Sequence, residues 1–390
     1  MKLSPKVNPV SRRFLHDLWP DGRWARVGVV TLVLLCVVTI WSAYAGYVRP
    51  AHTFFGTISP GLAMAFPLLL YVCLIGLVVS IFVWRRGATI FFVTLLAVLP
   101  SAYSISPLHL SPYITSNDDR DQSFSVMTYN VMSFFDFEGP FKSDVPNRTV
   151  QYFLDKNPDI LVLQETLRAA YINTLNITRG QRNLRDLRYP YQLHWHDGGA
   201  AILSKYPMRE IYIGDHPSMP WPHYKAARVY LKGDSVTIIN CHLQSLGLDK
   251  SDRNVYHSIT DGDLSFERID SASTHILDKL TNAFMLRAVQ AEWVRHVADS
   301  IGGNLIVCGD FNDVPLSYAA RTVKGNDMAD AFERTSLGPR ITFHDNRFYF
   351  RIDHMFYRGN FTAYRTVIDP QPSSDHYPMT ASFMFNRNTD

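Results

Sequence analysis

Three long stretches without a charged side chain fill most of the first hundred residues, and they restrict what that part of the chain can become. Residues 27–47, 54–84 and 88–106 contain no Asp, Glu, Lys or Arg apart from the single Arg49 and the Arg85-Arg86 pair that separate them. A bilayer crossing takes about 20 such residues, because in lipid every backbone polar group must be paired inside the helix. None of the three shows a polar face, which argues against buried helices of a soluble domain. The expectation is an all-α anchor at 27–106, with transmembrane helices at about 27–47, 60–84 and 88–106.

Basic residues orient that anchor. Lys2, Lys6, Arg12, Arg13, Arg23 and Arg26 precede the first stretch, and Arg85-Arg86 separates the second from the third. The loop between the first two carries only Arg49 and His52. Cytoplasmic loops are enriched in Lys and Arg, so residues 1–26 and the Arg85-Arg86 turn are expected in the cytoplasm. The third span then delivers the rest of the chain to the other side, as in a bacterial inner-membrane protein. Ala43-Tyr44-Ala45 also fits a signal-peptide cleavage site, and cleavage there would leave the same final side. Residues 107–123 are polar and Pro-containing and read as a linker.

The formal charge of +3 hides an asymmetry. Residues 1–120 hold ten Lys/Arg against four Asp/Glu, whereas residues 121–390 hold 28 against 31. The basic excess therefore belongs to the anchor. A slightly acidic second unit gains no general attraction to a polyphosphate backbone, which counts against a non-specific nuclease. Four cysteines, none at zinc-site spacing, read as small buried hydrophobes.

From residue 124 the texture changes to short β-branched runs. Strands are expected at Phe124–Val131, Asp159–Gln164, Ala200–Ser204, Ala227–Leu231, Ser235–His242, Asn304–Gly309, Ile352–Tyr357 and Met379–Phe385, and helices at about 147–156 and 282–300. Strands outnumber helices, so two packed sheets with helices outside fit better than a simple alternating βαβ sheet. Residues 244–286 show no clear strand, and a stretch of that length is ordinarily functional or disordered.

Asn130, Glu165, His242, Asp310, Asn312, Asp375 and His376 all fall at ends of expected strands. Singly, each has a bland explanation: an Asn after a strand forms turns, Gly309–Asp313 suits an Asx turn, and Glu165 suits a helix cap. Together they put acid, amide and imidazole groups at one sheet edge, where α/β enzymes place their sites. Oxygen-rich donors with few sulfurs suit Mg²⁺ or Mn²⁺.

The ordered segments Met127–Val131, Leu163-Gln164-Glu165, Ala201–Pro207, Asn240–Leu243, Gly309–Asn312, Arg351–His354 and Ser374–Pro378 resemble the endonuclease/exonuclease/phosphatase superfamily. That superfamily includes deoxyribonuclease I, abasic-site endonucleases, neutral sphingomyelinases and inositol-polyphosphate phosphatases. The resemblance covers about 124–386 of an expected catalytic domain at 124–388, and implies a four-layer α/β sandwich with two central mixed sheets. It also implies roles. Glu165, with Asn130 beside it, would bind the divalent cation, and Asp375 would be a further ligand or a group supporting the ligands. Asp310 would orient or deprotonate the attacking water, with Asn312 positioning it. His376 would contact a phosphoryl oxygen, held by Asp353, and His242 would stabilise charge or protonate the leaving group. Some abasic-site endonucleases carry an Asp where this chain has Met132, which puts a repair-nuclease identity in doubt.

The expected activity is hydrolysis of a phosphodiester or phosphomonoester by activated water. A lipid head group is the favoured substrate, because three spans hold the site near a bilayer. A nuclease on extracytoplasmic DNA or RNA is the alternative, and a non-catalytic binding protein is a third reading that loss of a site group would mark. No protein partner is deducible. His194 and His196 read as one face of a half-solvated strand, and His354 as pointing away from the site.

Overall fold

The computed structural model describes residues 22–106, 123–134, 147–166, 188–195, 199–217, 224–231, 233–247, 266–336, 341–345 and 349–386. The expected linker, His196 and the middle of the 244–286 stretch lie outside these residues.

The three apolar stretches are helices α1 (Arg23–Tyr44), α2 (Phe54–Val83) and α3 (Arg85–Ser104), each long and apolar enough to cross a membrane. A 3-10 turn at Ala45–Tyr47 follows α1. The second helix begins six residues before the expected position 60. Thr53 caps it by accepting from Gly56 N, and Pro60 and Pro67 sit inside it. Proline interrupts the backbone ladder, but neighbouring helices support such positions in membrane segments.

Beyond the anchor the elements run β1 (Ser123–Asn130), α4 (Arg148–Lys156), β2 (Ile160–Gln164), β3 (Tyr191–Trp195), β4 (Ala200–Ser204), β5 (Met208–Ile211), β6 (Tyr224–Leu231) and β7 (Asp234–His242). They continue with α5 (Phe266–Ser300), β8 (Leu305–Asp310), α6 (Tyr318–Lys324), β9 (Ala329–Asp330), α7 (Ala331–Thr335), β10 (Asp353–Arg358), β11 (Phe361–Ile368) and β12 (Met379–Phe385). Two six-stranded sheets result, ordered β11-β12-β1-β2-β4-β3 and β5-β6-β7-β8-β10-β9. Each is antiparallel apart from one pair. β1 and β2 run parallel, as do β7 and β8. A parallel pair needs a crossover, and α4 and α5 lie in the two connections.

Period-2 alternation builds the layers. Val126, Val162, Ile238, Ile306 and Met355 fill the space between the sheets. Met127, Leu161 and Leu203 face α4, while Ile239, Leu305 and Val307 face α5 and α6. The architecture is the expected α/β sandwich, helix–sheet–sheet–helix, preceded by an all-α segment.

Further local expectations change. The helix expected at 282–300 begins at Phe266, its first turns (FERIDSASTHILDKLT) being rich in Asp, Ser, Thr and Lys between their apolar residues. Strands β5, β9 and β11 were not among those expected, and β11 pairs with β12 through a register shift between Ala363 and Arg365 that breaks its alternation.

Candidate active site

The parallel pairs decide where the polar groups meet. Asn130 ends β1, Glu165 follows β2, His242 ends β7 and Asp310 ends β8. His242 and Asp310 are register partners, and so are Asp353 and Asp310. His376 lies just ahead of β12, which pairs antiparallel with β1 and so enters from the same edge. With Asn312 and Asp375 beside them, all eight singled-out residues collect on one rim of the two sheets.

Backbone geometry aims the central groups. Gly309 has φ +136°, and a Cβ there would lie 2.0 Å from Cys241 O, so only glycine lets β8 approach β7 this closely. Glu165 sits at φ 56° and Asn312 at φ 51°. Left-handed backbone suits Asn but is strained for Glu, a local cost that tends to mark a functional position. The Glu165 turn is clamped where Thr166 N donates to Gly199 O at 2.6 Å.

Asn130 links the acids. Its Nδ2 donates to Glu165 Oε1 at 2.9 Å and to Asp310 Oδ2 at 3.0 Å, while its Oδ1 accepts from Met132 N. In this orientation the amide holds two carboxylates and turns its oxygen away from them. Asp310 Oδ1 also accepts from Asn312 N at 2.8 Å, and Asn312 Nδ2 donates to Leu243 O. His242 Nε2 lies 3.8 Å from Glu165 Oε1 and 3.9 Å from Asp310 Oδ2.

His376 is buried between two acids. Its Nδ1 is 2.8 Å from Asp353 Oδ2 and its Nε2 is 3.6 Å from Asp310 Oδ2. Burial alone would depress the imidazole, but Asp353 and Asp310 outweigh it and hold His376 up at about 10. Ser374 fixes the turn, donating to Asn130 O and accepting from His376 N. Asp375 is raised above the usual carboxylate range by burial, with Glu165 and Asp310 adding to the effect against His376.

These groups open on a cavity of about 300 Å³ lined by Glu165, Asp310, Asn312, Asp313, Asp345, Asp375 and His376, with Phe343, Phe350 and Met64 on its apolar side. Among the described residues its lining has five carboxylates and no Lys or Arg. Behind the wall, Arg287 Nη1 pairs with Asp313 at 2.9 Å. A lining this rich in oxygen donors fits a hard divalent ion. Asp310, Asp353 and His376 also bring ligand atoms within 4.8 Å of one another. That trio suits a cation less well, because Asp353 does not line the cavity and its carboxylate is engaged by His376 Nδ1.

A family model, the Endonuclease/Exonuclease/phosphatase family, matches residues 127–376. The chain belongs to this family. It is accordingly a phosphoric ester hydrolase, of a family whose chemistry depends on a divalent metal. No curated protein matches it. Similar solved structures include a humanized D. rerio TDP2, at 18% identity over 67% of this chain and 99% of that one, with a TM-score of 0.47. An endonuclease/exonuclease/phosphatase from Beutenbergia cavernae is 16% identical over 68% of this chain and 72% of that one, TM-score 0.46. ANGEL2, a 2',3'-cyclic phosphatase in complex with adenosine-2',3'-vanadate, is 17% identical over 68% and 96%, TM-score 0.44.

The family segments sit on the rim, but the groups that brace them escaped the sequence reading. Gln164 Nε2 donates to Asn240 Oδ1 at 2.7 Å, tying β2 to β7 across the two sheets. Thr342 Oγ1 accepts from Ile352 N and Asp353 N, steadying the start of β10. Arg287, wholly buried on α5, supports Asp313. Of these, only Arg287 left a signal, as a cation inside an otherwise apolar helical stripe. His354 does point away from the rim: its Nε2 donates to Asp313 O at 2.8 Å and its ring packs on Phe311 and Phe356. Burial lowers it to about 4.

Proposed function

We propose that this family member hydrolyses a phosphodiester of a membrane lipid head group, with phosphomonoesters as the lesser possibility, on the non-cytoplasmic face of the membrane. The observation that carries the chemistry is the rim itself: crowded acids around a buried imidazole, His376, held between Asp353 and Asp310. Residues 27–106 serve as the anchor and 124–388 as the catalytic domain.

Glu165 and Asp375, two carboxylates that line the cavity, would hold Mg²⁺ or Mn²⁺, with Asn130 positioning Glu165. Bound there, the cation offsets phosphoryl charge that otherwise repels a nucleophile. Asp310 accepts a proton from the attacking water, and its hydrogen bonds from Asn130 and Asn312 fix the lone pair that does so. Asn312 orients that water. His376 has Nδ1–H committed to Asp353, so a protonated ring presents Nε2–H to a phosphoryl oxygen. His242, with Nε2 between Glu165 and Asp310, stabilises charge or protonates the departing oxygen.

The test uses full-length protein with Mg²⁺ or Mn²⁺ against bis(p-nitrophenyl) phosphate, phospholipid vesicles, and single- and double-stranded DNA. Turnover of the small diester and of lipid, lost with EDTA and reduced at least about 10²-fold in Glu165→Gln and His376→Ala, is the expected result. Near-wild-type turnover in either variant removes the assignment. Cleavage of DNA without lipid replaces it with the nuclease reading.

A further inference from the structure

The catalytic domain rests on the membrane helices through the segment that directly follows the Asp310 loop. Val314 packs with Ala45 and Ala63, and Leu316 with Ala43, Phe66, Val98 and Ile105. Arg321 donates to Ala43 O at 3.1 Å and lies over the Tyr47 ring, while Arg49 pairs with Glu292. Gly46 approaches so closely that a Cβ would stand 2.1 Å from Leu316 O. The site is thus fixed in height relative to the helices.

That height follows from residue counts. Arg85-Arg86 marks one membrane boundary, and the hydrocarbon layer takes about 20 helical residues. Counting back along α2 from Trp84 reaches Met64, and counting forward along α3 from Arg85 reaches Ile105. Met64 lines the catalytic cavity. The phosphoryl site therefore sits where lipid head groups lie.

A second cavity, of about 260 Å³, continues from it. The two share Met64, Val314 and Phe350, and the second runs on past Pro67, Leu68 and Ile341. Leu68 is 68% exposed on α2, one helical turn deeper in the membrane than Met64. An apolar groove that begins at a phosphoryl site and ends on the hydrocarbon-facing side of a membrane helix has the shape of one amphiphile. Building on the phosphoesterase reading above, we infer that this groove holds the acyl or alkyl chain of the lipid whose phosphate occupies the catalytic cavity. The chain remains in an apolar environment while the phosphate is at the rim, so the substrate need not leave the bilayer.

The test takes full-length protein in phosphatidylcholine nanodiscs with Mg²⁺ or Mn²⁺ and three esters sharing one leaving group: ethyl, octyl and dodecyl p-nitrophenyl phosphate. Wild-type kcat/KM is expected to rise from ethyl to dodecyl by at least about tenfold, since each buried methylene adds to binding. Leu68→Trp and Ile341→Trp each put a large ring into the groove at a residue that lines it and does not line the catalytic cavity. Each should bring dodecyl within about threefold of ethyl, at an unchanged ethyl rate, which also shows the variant folded. Partition into the disc is common to all three proteins, so a rise retained in both variants overturns the groove. So does equal kcat/KM for all esters, the result expected if a peptide or a second copy filled it. No hydrolysis of any ester by wild type would remove the phosphoesterase reading, and the groove assignment with it.

Discussion

Asp353 never faces the cavity, yet it sets the charge on the group that does. Its carboxylate against His376 Nδ1 favours imidazolium, against a burial effect that opposes it. If the protonated ring is the working form, kcat/KM falls as pH rises through the His376 pKa. Asp353→Asn removes a negative charge that stabilises imidazolium, so this alkaline limb should move to lower pH, by about one unit or more. A bound dication lowers the limb in both proteins and leaves the direction of the displacement intact. A pH–rate profile of both proteins checks it, and an unmoved limb would separate Asp353 from the titration. Strand ends with readable apolar runs singled out seven of the eight rim residues, and Asp353, inside the expected strand Ile352–Tyr357, came only from the family resemblance. The sequence did not reveal how Asn130 divides its amide, since that choice depends on which carboxylates stand within 3.0 Å.

Strand pairs carry the next level of control. β7 and β8 bring His242 and Asp310 level only because Gly309 lets them close. Gly309→Ala should destabilise the protein by about 2 kcal/mol or more, through a Cβ driven into Cys241 O and a left-handed φ. Hydrolysis should drop with it, because Asp310 shifts against its partner on β7. Urea unfolding and kcat measured together test this; stability and rate both near wild type would show that β7 yields without consequence. The elements that were legible are those buried on both faces, such as Ile160–Gln164, whose apolar runs tolerate no other reading. The first turns of α5 were not, because residues 266–281 mix Ile269, Ile276, Leu277 and Leu280 with Asp, Ser, Thr and Lys and so read as a polar connection. β11 stayed hidden because its bulge disturbs the period by which a strand is recognised.

At the scale of the molecule, the three apolar helices and the sandwich are packed together, with the Val314–Arg321 segment joining them. Its contacts bear on both the side of the membrane and the fate of the Ala43-Tyr44-Ala45 signature. Ala43 and Ala45 are buried, and Ala43 O accepts from Arg321. A peptidase needs an extended, reachable backbone, whereas here the bond lies in helical structure beneath the catalytic domain. The mature protein should therefore retain residues 1–45, and its intact mass decides the point. For sidedness, the four native cysteines are buried and should stay silent toward a membrane-impermeant maleimide. Tyr212, 71% exposed on the catalytic domain, gives an open position, and Arg86 marks the opposite boundary. Tyr212→Cys should label in intact cells stripped of any outer envelope, and Arg86→Cys only after lysis. The reverse pattern would place the catalytic rim in the cytoplasm and point the groove at the inner leaflet, with the geometry between Met64 and Asp310 unchanged.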